Sequence, residues 1–371
     1  MRNVLGIERV AQLETLLFNA QDGVKRLQYR LGMAQPEIPF QEAVAVPPLA
    51  TPTIISATAT ATQVSEAGAE SESGSSQAVI DETPTPNPSP TPSAWTLGNI
   101  SPYGNLPEEG AWKPYIYNSA GEVVALRTFL QPDPERPFTI VAVTAFDLSK
   151  SNLHFVLGLE EPAKPGGPHG YGRIPDNDLQ PGKLLAAFNG GFIAEHGAYG
   201  AMADGVTALA GRAGLATLGI FENGQVQIGE WKNDLLAEEK YQAWRQNALM
   251  IIHNGEINPK VETGTYIEWG ANLDGSVVTM RSAVGLSEDN QVLYYFAGPS
   301  LSMPVLADAM QRTGVDDGML LDINPTHAHF TAFRVQDGEL VAEPLFPEEM
   351  DIWIDRYLQS WKQDFFYLTE K

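Results

Sequence analysis

The sequence of 371 residues contains no cysteine. This absence excludes disulfide bonds, thiolate metal sites and a cysteine nucleophile. The chain also has no run of about 18 apolar residues, so it predicts no transmembrane helix, and its first residues lack the continuous apolar core of a signal peptide. We therefore expect either a cytoplasmic protein or one whose membrane anchor lies outside this chain.

Basic residues are scarce. The chain has 23 Lys and Arg against 46 Asp and Glu, a formal net charge of -23. A surface this acidic repels phosphate backbones and anionic lipids, which argues against nucleic acid or a membrane surface as the main partner. A local cationic pocket remains compatible with this composition.

Several nucleotide-binding and hydrolase motifs are also missing. The sequence has no GxxxxGK[ST] phosphate-binding loop, no GxGxxG that opens a helix, no HExxH and no GxSxG. It therefore gives no support for a P-loop nucleotidase, a dinucleotide-binding enzyme, a zinc protease of that type or an α/β-hydrolase.

Residues 1–40 predict an amphipathic helical segment. Apolar residues follow one another at alternating spacings of three and four, as in a heptad seam. The seam consists of Val10, Leu13, Leu17, Ala20, Val24, Leu27 and Leu31. Self-association or partner binding through residues 10–31 is one interpretation, and a plain amphipathic helix or a loosely ordered segment is the other.

Residues 41–94 predict a disordered linker. They are built mainly from Ala, Thr, Ser, Pro, Val and Glu and end in alternating prolines. Such a stretch has too little large apolar surface to offset the entropy of ordering it, and the prolines favour extended polyproline II. Thr/Pro stalks of this kind separate exported domains from anchors, so the segment favours an extracytoplasmic location, in the cell envelope or secreted.

Residues 95–371 predict one globular domain. Short apolar runs separated by Asn, Gly and Pro turns indicate strands, and 215–229 is a hairpin with Asn-Gly at its turn. We expect helices at 234–246 and 302–313, and aromatic residues at helical spacing between 350 and 361. The predicted fold class is α+β, a mainly antiparallel sheet with packed helices.

The stretch LLDINPTHAHF, residues 320–330, holds the densest set of reactive groups. A buried strand is predicted to emerge there into a turn at Asn324 and the following proline. If the chain then extends again, His327 and His329 point to one face, because strand side chains repeat every two residues. With Asp322, these imidazoles predict an acid/base site.

Three interpretations of this stretch remain open. A histidine can accept or donate a proton near neutral pH, which suits glycoside or phosphodiester cleavage. His327 and His329 with Asp322 could instead ligate a metal, since His-x-His on a strand is a known ligand geometry. The third interpretation is structural, with both histidines on a solvated strand edge.

Two further motifs carry candidate residues. In LLAAFNGGF, residues 184–192, Gly190 and Gly191 directly follow an apolar run and Asn189, so backbone or ligand can approach closely. A tight turn is the simpler interpretation. Arg281 interrupts the apolar strand at 276–285, and a lone Arg there must either face solvent or meet an anion.

Four motifs together resemble the phosphodiester glycosidase family. They are AAFNGGF at 186–192, MRSAVG at 280–285, GPSLSMPVLADAMQRTG at 298–314 and the LD pair at 321–322. Their order and spacing match the family, and the resemblance covers roughly residues 110–340. The family includes the animal uncovering enzyme, which removes N-acetylglucosamine from a sugar phosphodiester, and bacterial proteins linked to exopolysaccharide.

The resemblance implies a hydrolase of sugar-1-phosphodiesters that needs no cofactor and takes a carbohydrate phosphodiester as substrate. Asn189, Gly190, Gly191 and Arg281 would bind the substrate, with the phosphate on Arg281 and the glycine amides, and Asp322 would be the catalytic acid or base. Those five residues carry over from the family by position.

The chain departs from the family after Asp322. Family members commonly continue the LD pair with a run of Gly and Ser, whereas this chain has Ile-Asn-Pro-Thr-His at 323–327. Asn324 becomes a further candidate for binding the phosphate, and His327 and His329 are catalytic candidates on chemistry alone. A non-catalytic binding module for anionic glycan and a metal-dependent hydrolase are the alternatives.

Overall fold

The computed structural model describes residues 7–36, 38–40, 95–269, 277–347, 349–350 and 352–371. The predicted linker at 41–94 lies outside these ranges. The described residues on either side of it belong to one compact unit.

The body is built almost entirely from short strands. In chain order these are β1 (Lys113–Tyr117), β2 (Val123–Leu130), β3 (Val141–Asp147), β4 (Ser151–Val156), β5 (Leu184–Asn189), β6 (Ala201–Ala203), β7 (Val206–Leu209), β8 (Ala216–Phe221), β9 (Val226–Glu230), β10 (Tyr241–Gln246), β11 (Met250–His253), β12 (Glu256–Ile257), β13 (Thr279–Leu286), β14 (Val292–Leu301), β15 (Asp317–Leu320), β16 (Phe330–Gln336), β17 (Glu339–Pro344) and β18 (Phe365–Glu370).

The strands form three sheets within the described part of the chain. The first has the order β1-β2-β3-β14-β13-β15-β11-β12, the second β7-β6-β10-β8-β9 and the third β17-β16-β5-β18-β4. Neighbouring strands in all three sheets run antiparallel. The predicted antiparallel pairing is therefore confirmed.

Helices are few in the described ranges. They are α1 (Ile7–Arg30), α2 (Lys260–Thr263), α3 (Tyr266–Trp269), α4 (Met303–Thr313) and the 3-10 turns Ala194–His196 and Arg356–Leu358. None of these helices is both long enough and apolar enough to cross a membrane.

The predicted α+β fold class is wrong, because the described chain is mostly antiparallel β-sheet with few helices. The helix expected at 234–246 is a set of turns followed by β10, which pairs with β6 and β8. Pairing in the sheet overrides the local helical pattern there.

The aromatic residues between 350 and 361 do not form the expected helix either. The described residues of this segment are turns, and only Arg356–Leu358 form a single 3-10 turn. The backbone of Trp353 even adopts a left-handed conformation, with φ of 53°.

The helix predicted after residue 302 is confirmed as α4. The Ser302 hydroxyl accepts a hydrogen bond from the amide of Val305, and Gly314 ends the helix with φ of 91°. This helix carries the chain from β14 to β15, which both pair with β13 on opposite sides. It thereby delivers the segment after β15 to the region of Asn189.

The third sheet gathers four chain segments at one end. Because its strands are antiparallel, β4 and β5 end where β16 and β18 begin, with Phe365 opposite both Val156 and Asn189. We call this end the site edge. The segments meeting there are 157–172, 190–200, 322–329 and 350–364.

Candidate functional site

Asn189 is the buried centre of the site edge. Its side-chain oxygen accepts hydrogen bonds from the Tyr295 hydroxyl and from the His329 amide, each at 3.0 Å. Its side-chain nitrogen donates to the Ser282 hydroxyl at 3.0 Å and to the Gly190 carbonyl at 2.9 Å. The amide group is thus engaged within the fold, and it joins β5, β13 and β14 to the segment before β16.

The two glycines after Asn189 are required by a buried ion pair. A Cβ on Gly190 would lie 2.0 Å from Asp364 Oδ2, and one on Gly191 would lie 2.9 Å from Arg245 Cζ. Arg245 Nε donates to Asp364 Oδ2 at 2.7 Å, and both side chains are fully buried. Close approach of these charged groups therefore leaves no room for a larger residue.

The amides of these glycines also meet Asp364. Gly190 donates to the Asp364 carbonyl at 3.0 Å and Gly191 to Asp364 Oδ2 at 3.3 Å. Burial raises the pKa of Asp364, while Arg245 and the Gly191 amide lower it. Phosphate binding by the glycine amides remains a prediction, and here the Gly190 amide binds a backbone carbonyl and the Gly191 amide binds a carboxylate.

Asp322 and His327 form an acid/base pair at the site edge. Asp322 Oδ2 lies 3.4 Å from His327 Nδ1, and Gln363 Nε2 lies 3.3 Å from His327 Nε2. Asp322 is buried, whereas the His327 side chain is 21% exposed. Asp322 thus orients an imidazole that solvent and a ligand can reach.

Asn324 shapes the turn that holds this pair. Its amide donates to Asp322 Oδ1 at 2.8 Å, and its own side-chain oxygen accepts from the amide and hydroxyl of Thr326. Its carbonyl accepts from the amides of His327 and Ala328. Asn324 is exposed, and its role in substrate binding stays a prediction.

His329 has a different environment from His327. It is 2% exposed, and its Nε2 donates to the Met350 carbonyl at 2.8 Å. Burial lowers its pKa to about 3, and the nearby Arg356 cation acts in the same direction. His329 is therefore a neutral, buried hydrogen-bond donor, and the two histidines do not share one face.

Arg281 lies apart from the Asp322 pair. Its neighbour Ser282 points towards Asn189 and the Asp322 carbonyl, so Arg281 points to the opposite face of β13. Its guanidinium donates to the Leu301 and Val277 carbonyls, and Nη1 has no partner among the described residues. Burial lowers its pKa to about 9.

A cavity of about 770 Å³ opens beside the glycine loop. Its lining includes Glu161, Lys164, His169 and Glu195. Glu161 accepts a hydrogen bond from the Ala194 amide at 2.7 Å, and burial raises the pKa of its carboxyl, with a further upward contribution from Asp364. This carboxyl therefore retains its proton to higher pH than an exposed glutamate.

Sequence motifs identified only part of this arrangement. Asn189, Asp322 and His327 come together, whereas the side chains of Arg281 and His329 lie apart from them. Glu161, Gln363 and Asp364 were missed, because they come from distant segments without a local motif. The two glycines after Asn189 were the sequence signal for the missed Asp364, since they indicated that another group approaches the backbone closely there.

The metal interpretation finds no ligand cluster in the described ranges. No group of three or more His, Asp or Glu side chains is arranged there to hold an ion. His327 and His329 are engaged by Asp322 and by the Met350 carbonyl respectively.

Three solved structures resemble the chain at low identity. The catalytic domain of zebrafish N-acetylglucosamine-1-phosphodiester alpha-N-acetylglucosaminidase, auto-inhibited by pro-peptide, is 15% identical, with a TM-score of 0.40 over 70% of this chain and 88% of that one. A hypothetical protein from Synechocystis is 10% identical, with a TM-score of 0.33 over 70% and 62%. An exported protein of Burkholderia pseudomallei K96243 is 12% identical, with a TM-score of 0.33 over 62% and 74%.

Sequence comparison gives a more specific result. A search of curated proteins returns no match. The sequence profile of the phosphodiester glycosidase family matches residues 182–322, which include the Asn-Gly-Gly loop, Arg281 and Asp322. The resemblance to the phosphodiester glycosidase family is therefore confirmed over residues 182–322.

Proposed function

We propose that the chain hydrolyses a glycosyl phosphodiester, a compound in which C1 of a sugar is joined to a phosphate diester. The proposal depends chiefly on the Asp322–His327 pair, which combines an oriented imidazole with access from solvent. Asp322 is the last residue of the matched family segment, and His327 lies in the turn that follows.

His327 is the proposed general base. Its Nδ1 faces Asp322, so this nitrogen carries the proton and Nε2 is the basic nitrogen. The Nε2 lone pair accepts a hydrogen bond from the Gln363 amide at 3.3 Å, which the attacking water must replace. Water attacks C1 and transfers a proton to Nε2 while the C1–oxygen bond breaks and its electron pair leaves with the phosphate. Asp322 stabilises the imidazolium that forms, as a carboxylate beside a histidine does in other hydrolases.

Glu161 is a second acid/base candidate. Burial raises the pKa of this carboxyl, so it keeps to higher pH a proton that it can deliver to a leaving group. Phosphate is already a good leaving group, so protonation matters less here than activation of water. We therefore expect a smaller effect from Glu161 than from His327.

The phosphate needs a cationic partner. Lys164 lines the cavity that Glu161 shares, and it offers positive charge accessible to an anion in an otherwise acidic protein. Arg281, the partner predicted from the sequence, is buried on the opposite face of β13. Comparing Lys164→Ala with Arg281→Met tests which cation binds the phosphate.

The proposal is tested by a hydrolysis screen over sugar-1-phosphodiesters that measures both the free sugar and the phosphomonoester. We expect equal amounts of the two products from the wild-type chain and little turnover from His327→Asn or Asp322→Asn. Binding without turnover on every compound would instead support the anionic-glycan binding module. Loss of turnover with a chelator, restored by a divalent ion, would support the metal-dependent alternative.

The proposed setting is the cell envelope or the exterior of the cell. It is supported by the Thr/Pro-rich composition of residues 41–94 and not by a contact in the fold. Fractionation of the cells that produce the protein, with detection by antibody, tests this location.

A further inference from the structure

Trp353 is an exposed aromatic side chain close to the Asp322–His327 pair. It is 59% exposed, and its backbone φ of 53° is unusual for a bulky residue. Such a conformation costs on the order of 1 kcal/mol and persists only where the surroundings impose it. Nothing in the packing of the core requires a large apolar ring at this exposed position.

The ring of Trp353 is held by a second tryptophan and a buried arginine. Its centroid lies 5.9 Å from that of Trp361, and the Arg356 guanidinium lies 5.0 Å from the Trp361 centroid and 6.0 Å from that of Trp353. Arg356 also donates from Nε to the Trp353 carbonyl at 3.1 Å. These contacts fix the aromatic pair in one orientation.

The same arginine connects the aromatic pair to the proposed catalytic turn. Arg356 Nη1 donates to the Thr326 carbonyl at 2.8 Å, and Thr326 directly precedes His327. On the other side, Trp361 lies two residues before Gln363, whose amide nitrogen is 3.3 Å from His327 Nε2. Two independent links therefore place the aromatic pair beside the proposed general base.

We propose that Trp353, supported by Trp361, stacks against the pyranose ring of the substrate. The inference rests on the proposed function, since C1 must lie at His327 and the sugar ring must then cover the adjoining surface. Pyranose C–H groups carry a small positive charge and are attracted to the negative face of an aromatic ring. Stacking would thus select the sugar and leave the phosphate to other groups.

The test compares Trp353→Ala with Trp353→Phe and with Tyr117→Ala, an equally drastic change of an exposed aromatic residue on β1 of the first sheet. With a sugar-1-phosphodiester, Trp353→Ala should raise KM about threefold to tenfold at nearly unchanged kcat. Trp353→Phe should restore most of the affinity, and Tyr117→Ala should have no effect. An unchanged KM in Trp353→Ala overturns the stacking site.

Saturation-transfer NMR separates this proposal from the proposed function. In a mixture with a sugar-1-phosphodiester, the ring protons should receive magnetisation from the wild-type protein and not from Trp353→Ala. Magnetisation transfer to the sugar ring without turnover would support the stacking site and contradict the hydrolase proposal. Transfer only to the group esterified to the phosphate, with none to the sugar, would overturn the stacking site in favour of an aglycone site.

A second, independent observation concerns α1. The described residues of the predicted seam, Leu17, Ala20, Val24, Leu27 and Leu31, are all exposed, the leucines and the valine by 55% to 62%. Five apolar positions on one face of a helix are left exposed by the described part of the chain.

The body of the protein contacts a different face of α1. Asp22 accepts two hydrogen bonds from Arg136, at 2.8 and 2.9 Å, and Tyr29 packs against Phe138. If Leu17 and Val24 are positions a of the heptad, Asp22 and Tyr29 are positions f, which lie opposite the seam. Of the seam residues, Ala20 and Val24 line a cavity of about 530 Å³ together with Met280 and Pro299 of the body, so a second helix at the seam would lie beside this cavity.

We infer that the occupant of the seam is α1 of a second copy of this chain, in a parallel two-stranded coiled coil. Valine at half of the a positions and leucine at two of three d positions favour that state. The flanking e and g positions between Leu16 and Gln28 are Leu16, Gln21, Gly23 and Gln28, all uncharged. Two copies can therefore approach there despite a net charge of -23 each.

The absence of cysteine makes the test direct. In a parallel coiled coil, position 24 of one chain faces position 24 of the other. Oxidation of the full-length Val24→Cys variant should therefore give a disulfide-linked dimer. Asn19→Cys, exposed and off the seam, should remain monomeric on a non-reducing gel. Sedimentation should show a wild-type dimer that Leu27→Glu converts to a monomer and Asn19→Glu does not. A wild-type monomer, or equal crosslinking of the two cysteine variants, overturns the coiled coil.

Discussion

Two histidines separated by a single residue occupy opposite environments. His327 lies in a turn with its ring partly exposed and flanked by Asp322 and Gln363. His329 lies at the entrance to β16, buried, and its ring is fixed by the Met350 carbonyl. The pattern His-x-His predicts equivalence, whereas the turn at Asn324 separates a reactive ring from a structural one. Burial therefore decides which of two identical side chains is available for chemistry.

The largest expected effect is on turnover at His327. His327→Asn should lower kcat on the best substrate of the screen by about 10²- to 10⁴-fold, because general acid/base catalysis contributes about that much. The free energy of unfolding should change by no more than about 1 kcal/mol, since the ring is partly exposed. Steady-state kinetics and urea unfolding measure the two quantities.

The proposed difference in role between the two histidines is contradicted if His329→Gln, under conditions in which it is folded, loses as much turnover as His327→Asn. In that case the buried histidine would take part in the chemistry. Near-UV circular dichroism confirms that each variant is folded before its kcat is measured.

The next effect concerns the stability of the fold, at the buried Arg245–Asp364 ion pair. Arg245→Met leaves the Asp364 carboxylate without its ion-pair partner and should lower the free energy of unfolding by about 3–5 kcal/mol. The double variant Arg245→Met/Asp364→Leu should recover much of this loss, because no uncompensated charge remains. Equal losses in the single and double variants would show that the charge pairing is not the cause. Urea unfolding provides the measurement.

A smaller loss is expected at the glycine that contacts this pair. Gly190→Ala places a Cβ against Asp364 and should cost about 1–3 kcal/mol of stability, the range for overpacking. Gly98→Ala is the matched control, because a Cβ there has no heavy atom within 4 Å. Similar unfolding midpoints for the two variants would contradict the close approach.

Over a single pH unit, the smallest effect is the pH dependence contributed by His329. Its folded-state pKa of about 3 lies below the ordinary value of about 6.5, so between these pH values the unfolded chain binds a proton that the folded chain does not. Stability from this group is therefore complete above pH about 6.5 and is lost as the pH falls, by at most about 1.4 kcal/mol per pH unit.

The pH effect is measured by urea unfolding of wild type and His329→Gln across this window. The difference between the two proteins should shrink as the pH falls, because only the wild type loses this contribution. A difference independent of pH would mean that His329 is protonated in the folded protein.

Local signals predicted the elements that are fixed locally. Ser302 and Gly314 marked the ends of α4, and Asn223-Gly224 marked the turn between β8 and β9, because caps and tight turns depend on a few neighbouring residues. The strand at 241–246 was mistaken for a helix because its pairing partners, β6 and β8, decide its conformation. Tertiary context of that kind is not encoded in the segment itself.

The residues of the candidate site also fall into two groups, those that stand in local motifs and those that tertiary structure brings in. Asn189 and Asp322 stand in the motifs that resemble the phosphodiester glycosidase family, so they were found from the sequence. Gln363 reaches His327 across 36 positions and Asp364 reaches Gly191 across 173, and neither separation leaves a periodic or local pattern. Groups brought in by long-range strand pairing become visible only when the sheet is known.

The order of strands in the third sheet has a consequence for protein synthesis. β18, residues 365–370, lies between β5 and β4, whose residues leave the ribosome about two hundred positions earlier. Until β18 emerges, β5 and β4 expose unpaired edges to other chains and to chaperones. Gln363 and Asp364 arrive with that strand, so the nascent protein acquires its proposed chemistry only when this sheet closes.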